Sequence, residues 1–457
     1  MNKLYNIFLN DFRLQKLSHY HIIILIFFVL LTYLLTLDPK VSANVLSRYI
    51  TVEQLVENHT LSHDLSKLPK MCDMIEINGK KYSSKPPLYS LVMASQAWLV
   101  RQVTFLDMEN HFLLYTVILR LLNQVIPYIL TIYLSLMIAS RFCSSMWSLN
   151  MYFLSITLGS LPFAYTATLN NHLPTATLCM FLFYLYYQIS VNEIKSRTVY
   201  FSIGLFAAIA ICYEMTSGLI SLILVTGAIS KNPRRLKYTL VGFLIPMLIN
   251  FYVIYDLSGS LVPYYFQPKL YQYTNSYWLD PGPGSREPIN RRMDIYLFEI
   301  LFGGPGYFST SPILFLVMSG IYFYFKNKTK FFNQIYTYLL LSIPFVVIAV
   351  WILDSNPGGY YGGRSVGMRH FVFFTPILSF MLIPSLNKFA SHKAGKWVTY
   401  FLLIMSINAP LYALTYDSFQ IQPYSWNIFQ HLGKITQNPE NIPKIIFRRY
   451  KTIYESL

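Results

Sequence analysis

Long apolar runs, each near the length needed to cross a lipid bilayer, constrain this chain more than any other feature. A spanning helix needs about 20 mostly apolar residues, because nothing in the bilayer interior can pair an open backbone group. Candidate spans fall at roughly 21–37, 111–139, 146–167, 173–191, 198–214, 216–230, 238–256, 311–325, 335–353, 370–387 and 397–415. These are about eleven, and they predict an all-α, polytopic transmembrane helix bundle over residues 1–415 with a C-terminal tail at 416–457. Composition agrees: 12% of residues are charged and 54% hydrophobic, whereas soluble domains carry about 25% charged residues. No small-residue cleavage site follows the run from His21 to Leu37, so it reads as a retained first span rather than a signal peptide.

Basic residues set the expected orientation. Lys3, Arg13 and Lys16 precede the first span, and Arg141 follows the second. Lys195 and Arg197 follow the fourth, Lys231, Arg234, Arg235 and Lys237 the sixth, Lys326, Lys328 and Lys330 the eighth, and Lys388, Lys393 and Lys396 the tenth. Such clusters in alternate loops place the N-terminus in the cytoplasm by the positive-inside rule. The loops at 38–110, 257–310 and 354–369 are then external. So is the tail, although Lys444, Arg448, Arg449 and Lys451 pull the other way. The net charge of +16 is carried largely by the cytoplasmic loops, and the remainder suits an anionic headgroup or phosphate. No basic, aromatic-interleaved soluble domain is present, so nucleic acid is not an expected partner. Cys143, Cys179 and Cys212 lie in or beside apolar runs, and Cys72 has no loop partner, so neither a disulfide framework nor a metal-type cysteine spacing is expected.

The first external loop concentrates the polar chemistry. It reads Asn44-Val-Leu-Ser-Arg48-Tyr49, then Glu53, Glu57, His59, His63 and Asp64, then Cys72-Asp73, then Tyr82-Ser-Ser-Lys85-Pro86-Pro87. Residues 88–100 are apolar but short for a span, which suits an interfacial or re-entrant helix started by the diproline. Lys85 would then stand beside a helix N-terminus, where backbone N–H groups favour anions; equally, the prolines simply turn the chain at the membrane surface. Asp73 and Asp64 are the candidate bases, although most external carboxylates near a membrane are merely solvated. If residues 44–58 are helical, Glu53 and Glu57 share a face, and a wet helix face is the better reading of that pair.

Asn170-Asn171-His172-Leu173-Pro174 opens the fourth candidate span, where His172 reads as a capping residue or a carboxylate or phosphate partner. Glu214 interrupts apolar sequence between the fifth and sixth, and an acid at that depth is a functional candidate or sits in a short wet turn. The loop at 257–310 is rich in Tyr and Pro, as interfacial loops are. In the loop at 354–369, glycines admit a close ligand, and Arg364 and Arg369 can grip phosphate in a forked way.

Taken together, Ser47-Arg48-Tyr49, Tyr82-Ser-Ser-Lys85-Pro86-Pro87, Asn171-His172-x-Pro174, the Leu-Phe-Gly segment before Phe308-Ser-x-x-Pro312, and Tyr361-Gly-Gly-Arg364 with Arg369 resemble GT-C membrane glycosyltransferases. The resemblance is to the protein O-mannosyltransferase and lipid A aminoarabinose transferase branch, and more closely to uncharacterised bacterial membrane proteins of GT-C type. It extends from about residue 44 to 380. It implies a multi-pass protein of a bacterial cytoplasmic membrane, with external juxtamembrane helices in its first loop. It implies an inverting transfer of sugar from a polyprenyl-phosphate carrier to an extracytoplasmic glycan, lipid or protein acceptor. On that resemblance Asp73, then Asp64, would be the base; Lys85, Arg364 and Arg369 would hold phosphate; and Arg48, Tyr49, Tyr82, His172 and Tyr361 would line the substrate site. No metal ligands are assigned, and a divalent metal is the one cofactor left open. One departure stands out: the aminoarabinose-transferase branch carries an acidic pair before Arg-Tyr, and this chain has Val45-Leu46 there.

Two other readings compete. A lipid-linked glycan transporter or polymerase would place charges inside the spans, and apart from Glu214 and Arg120 these are nearly free of them. A non-catalytic, GT-C-like scaffold that binds lipid carrier would account for the missing acidic pair.

Overall fold

The computed structural model describes residues 19–35, 42–68, 73–274, 276, 293–304, 306–326, 340, 342–344, 346–348 and 366–414. Helices dominate. In chain order they are α1 (His19–Leu35), α2 (Ala43–Asn58), α3 (Pro87–Thr104), α4 (Phe112–Ala139), α5 (Met146–Thr157), α6 (His172–Val191), α7 (Arg197–Tyr213), α8 (Gly218–Lys231), α9 (Leu236–Ser258), α10 (Met293–Phe302), α11 (Leu316–Lys326), α12 (Leu382–Phe389) and α13 (Lys393–Tyr412). Among the described residues α4 and the helical run Pro233–Ser258 that contains α9 are long and apolar enough to cross a membrane. The bent pair Met293–Thr310 and Pro312–Lys326 adds a third if it forms one broken span. The described residues therefore do not supply the eleven spans expected from sequence. Several of the runs are shorter apolar helices, such as α7, and the run at 370–387 is broken into short turns before α12. Most of the run at 335–353, the loop residues Tyr361 and Arg364, Cys72 and the tail at 416–457 lie outside the described residues.

The outer face of α9 shows what surrounds it. Leu240, Leu244, Leu248, Ile249 and Tyr252 point outward, Leu248 with 64% of its surface open. A continuous apolar face of that kind is costly in water and ordinary in lipid. Its inner face packs on α7 through two glycines. A Cβ on Gly204 would fall on the carbonyl of Thr239, and a Cβ on Gly242 on the carbonyl of Phe201. Close backbone approach at small residues is how helices associate where apolar burial gives no advantage over lipid.

The described residues between α1 and α4 fold into a compact unit. α2 begins at Ser42, whose side chain caps the Val45 N–H, and it ends at His59 in the left-handed region. α3 begins at Pro87, one residue inside the diproline as expected. The two helices bury Val45, Tyr49, Val52, Leu88, Tyr89 and Met93 in a core shared with the start of α4. Glu53 corrects the wet-face reading: it is 2% exposed and accepts a hydrogen bond from Ser66 at 2.6 Å. Glu57 pairs with Arg101 of α3 at 2.8 Å and accepts from the Met108 N–H at 3.0 Å. The pair thus ties the loop helices together rather than facing water.

Between α2 and α3 lies an element not foreseen from sequence, an antiparallel hairpin of β1 (Met74–Ile77) and β2 (Lys80–Ser83). Asn78 and Gly79 turn it with φ of 52° and 76°, the left-handed pair that a two-residue hairpin turn of this type demands. Ile75 pairs with Tyr82 and Glu76 with Lys81. Ile75 and Ile77 pack on Ile254 of α9 and on Tyr264. The side chain of Asn250, also on α9, accepts a hydrogen bond from the Leu88 N–H at 3.3 Å. The loop is therefore fixed to the membrane helix by both apolar and polar contacts.

Gly204→Leu should drive a side chain into the α9 backbone and destabilise the protein by about 1–3 kcal/mol or more. A drop in thermal unfolding temperature in detergent checks this. Leu248→Ala, on the outward face, should change it by far less.

Candidate functional site

The hairpin explains why two loop residues distant in sequence meet. Its ladder is extended one step by a hydrogen bond from the Ser84 N–H to the Asp73 carbonyl at 3.2 Å. Ser47 of α2 locks that end: its hydroxyl donates to the Asp73 carbonyl at 2.6 Å and lies 2.8 Å from the Ser83 hydroxyl. Asp73 and Lys85 therefore leave the hairpin side by side, and their side chains form an ion pair at 3.1 Å. Both remain partly open, at 15% and 20% side-chain exposure.

Further along α2, Arg48 projects inward and is 3% exposed. Its guanidinium donates to Asn44 one turn back and to Asn171 Oδ1 at 2.8 Å, and it lies 5.7 Å from the Tyr89 ring centre. Asn171 in turn donates to the Tyr213 carbonyl at 2.7 Å, so the start of α6 is clasped to the end of α7. Asn170 caps the His172 N–H through its side chain at 2.9 Å, and its carbonyl accepts from Tyr89 at 2.9 Å and Gln124 at 2.6 Å. The Asn-Asn-His sequence is thus the polar hub on which α2, α3, α4 and α7 converge.

His172 Nδ1 lies 2.9 Å from Glu214 Oε1, and His370 Nδ1 lies 3.4 Å from the same oxygen. Thr216 donates to it at 3.2 Å. The other carboxylate oxygen, Glu214 Oε2, is buried and has no hydrogen-bond partner among the described residues. One nitrogen each from His172 and His370 and one oxygen from Glu214 lie within 4.8 Å of one another, a set of donors able to hold a metal ion. Beside His370, Arg369 reaches electrostatically to both Arg48 and Lys85. Its Nε, like that of Arg48, is buried without a hydrogen-bond partner among the described residues.

Charge at this end of the bundle is unbalanced. Burial lowers the Arg48 pKa to about 10, the first of several effects, with Asp73 opposing and Arg369 adding to it. Burial also lowers Lys85, with Asp73 opposing and the two guanidiniums adding. At neutral pH Arg48 keeps its proton despite that depression. Among the described residues neither guanidinium is in an ion pair, so a bound anion would meet less opposing charge than the number of acids suggests.

The structure therefore brings together Arg48, Asp73, Lys85, His172 and Arg369 from the residues expected on sequence grounds. It does not bring in three others. Tyr49 is fully buried against Phe112 with its hydroxyl on the Met108 carbonyl at 3.3 Å, a packing residue rather than a substrate contact. Asp64 is exposed at a turn, held by Ser62 at 2.9 Å and receiving the Lys81 N–H at 3.4 Å. Tyr82 packs beside Ile75 and Tyr264. Glu214 and His370 belong to the cluster: Glu214, a functional candidate by its isolation in apolar sequence, is buried rather than set in a wet turn, whereas His370 carries no role from sequence. Asn250, a lone amide within an apolar run, and the adjacent amides Asn123 and Gln124 carried the same signal.

No protein-family model, curated protein or solved structure matches this chain, so the site's own geometry carries the functional argument.

Asn171→Ala would leave the buried Arg48 guanidinium short of an acceptor and the Tyr213 carbonyl short of a donor. A loss of about 1–3 kcal/mol of stability is expected, read from the thermal unfolding temperature. Asp64→Asn should change stability by no more than about 0.5 kcal/mol by the same measurement.

Proposed function

We propose that this chain is a GT-C-type integral membrane glycosyltransferase that moves a sugar from a polyprenyl-phosphate carrier to an extracytoplasmic acceptor. The observation that carries the reading is that Lys85, paired with Asp73 at 3.1 Å, lies within electrostatic reach of Arg48 from the same loop and of Arg369 from a distant part of the chain. Three cations suit a phosphate leaving group, because they offset the charge that develops on it as the glycosidic bond breaks. The resemblance of the Arg48, Lys85 and His172 segments to those of GT-C enzymes supports the same reading. In this proposal the remaining apolar helices also cross a bacterial cytoplasmic membrane, with the N-terminus in the cytoplasm and the site outside it.

The Lys85–Asp73 ion pair gives the resting site a built-in guard. Arrival of the carrier phosphate offers Lys85 a second anion, and its partial transfer to the phosphate uncovers Asp73. The Asp73 carboxylate then takes the proton of the acceptor hydroxyl as that oxygen bonds to the sugar carbon. The bond from that carbon to the carrier phosphate breaks, and the phosphate keeps the electron pair against Arg48 and Arg369. Attack opposite the leaving phosphate inverts the anomeric centre. An apolar cavity of about 150 Å³ beside Ser84, Pro86, Met215, Met247 and Phe251 offers room for the first isoprene units of the carrier.

Purified full-length protein in lipid nanodiscs, given radiolabelled polyprenyl-phosphate sugars and a membrane extract, should move label to acceptor. Asp73→Asn should lower the rate by about 10²–10⁴-fold, the usual contribution of a positioned base, and Asp64→Asn should leave it near wild type. Transfer that survives Asp73→Asn unchanged would sink this assignment of the base. Carrier binding without transfer from any donor would favour the scaffold reading, for which Val45 and Leu46, both buried core residues, are the supporting observation.

A further inference from the structure

The group formed by buried His172 and Glu214 and half-buried His370 calls for a ligand of its own. Its members arrive from the first residue of α6, the residue after α7 and the turn Arg369–Phe371. His172 is 4% exposed and Glu214 5%, so neither sits in bulk water. Oε1 of Glu214 is crowded by two imidazoles and a hydroxyl, while Oε2, in the same buried place, has no partner among the described residues. A buried carboxylate oxygen left bare is costly and rare, and an ion is one of the few things that resolves it.

The spacing favours a metal. Four donors about 2.0–2.1 Å from a tetrahedral zinc stand about 3.3–3.4 Å from one another. Here the two Nδ1 atoms are 2.9 and 3.4 Å from the Glu214 oxygen, and all three donor atoms lie within 4.8 Å. Small rotations of the side chains therefore bring them to coordinating distance without moving a helix. The rings are already splayed: the His172 and His370 planes meet at 86°, with centres 5.6 Å apart, so their lone pairs can converge on one point from different directions. The edge of the Tyr165 ring environment, 5.7 Å from the His172 ring, and the Asn170 cap limit the freedom of that imidazole.

We propose that His172, Glu214 and His370 form a binding site for one divalent transition-metal ion, of which zinc is the best match to two imidazoles and a carboxylate. Two imidazoles make the site too soft for magnesium or calcium, which take oxygen ligands. Three protein donors leave a coordination position open, the pattern of sites that bind an exchangeable oxygen ligand. Arg369 next to His370 would repel a bare cation, and an anionic oxygen in the open position would relieve that repulsion. The site does not depend on the sugar-transfer reading: a protein that binds carrier without transferring sugar would hold the metal equally well.

The test uses the full chain, purified without a polyhistidine tag, stripped with chelator and titrated with Zn²⁺ alone. One zinc per chain is expected by elemental analysis, with affinity lowered at least 100-fold in Glu214→Gln and in His172→Ala, and unchanged in Asp64→Asn. Should the variants fail to fold, X-ray absorption at the zinc edge of the wild-type protein decides the matter, with a shell of two imidazole nitrogens and carboxylate oxygen expected. Less than half a zinc per chain, a shell without imidazole, or folded variants that bind as tightly as wild type would overturn the site.

Discussion

A guanidinium held away from water is the constraint around which the rest of this site is arranged. Arg48 cannot lose its charge at neutral pH, and it is almost wholly enclosed. A buried cation is tolerable only where oxygens and ring faces replace its water. Asn44, Asn171 and the Tyr89 face do so here, and each belongs to a different segment. Meeting the needs of one side chain thus fixes α2 against α6 and α3. Because Asn171 also bonds the Tyr213 carbonyl, the same requirement sets where α7 ends and where Glu214 begins. Arg120 shows the equivalent solution inside the bundle. It is 1% exposed, bonds the carbonyls of Tyr33 and Ala167, and lies 4.8 Å from the Tyr33 ring centre, joining α1 to α4 just before the π-turn at Leu121–Val125.

Local features were legible in the sequence wherever one signal dominated. The diproline marked the start of α3 to within a residue, and the runs at 111–139 and 238–256 became the two longest apolar helices. Burial was legible less often, because an acid on an amphipathic helix reads as solvated unless its partner is known. Glu53 and Glu57 have theirs in Ser66 and Arg101, 13 and 44 residues away along the chain. The hairpin was legible in principle through Asn78-Gly79 between Ile77 and alternating Lys81, Tyr82 and Ser83, but a four-residue strand is a weak signal beside the span-length apolar runs of this chain. Hydropathy also overstates spanning length where polar caps and proline divide a run, as at 370–387.

The site itself was only half legible, for a geometric reason. Residues 48, 73 and 85 share one loop, and their chemistry could be grouped by proximity in sequence. The meeting of Arg48 with Asn171, and of Glu214 with His370, depends on helix packing over separations of 123 and 156 residues. Periodicity carries no such information. What did carry through was the anomaly of a polar group in apolar surroundings, which singled out Glu214 and could have singled out Asn250 and Gln124.

The hairpin has a consequence for how this loop can vary. In an antiparallel ladder successive side chains alternate between faces, so a shift of one residue inverts every side chain beyond it. The tip at Asn78-Gly79 touches nothing in the site, yet it sets the phase that puts Asp73 opposite Ser84 and next to Lys85. The connection therefore behaves as a counter: residues can be added or removed at the tip in pairs and leave the far end in phase, whereas a single insertion would rotate the paired acid and base out of step with each other. Among descendants of such a loop, length should drift in even steps.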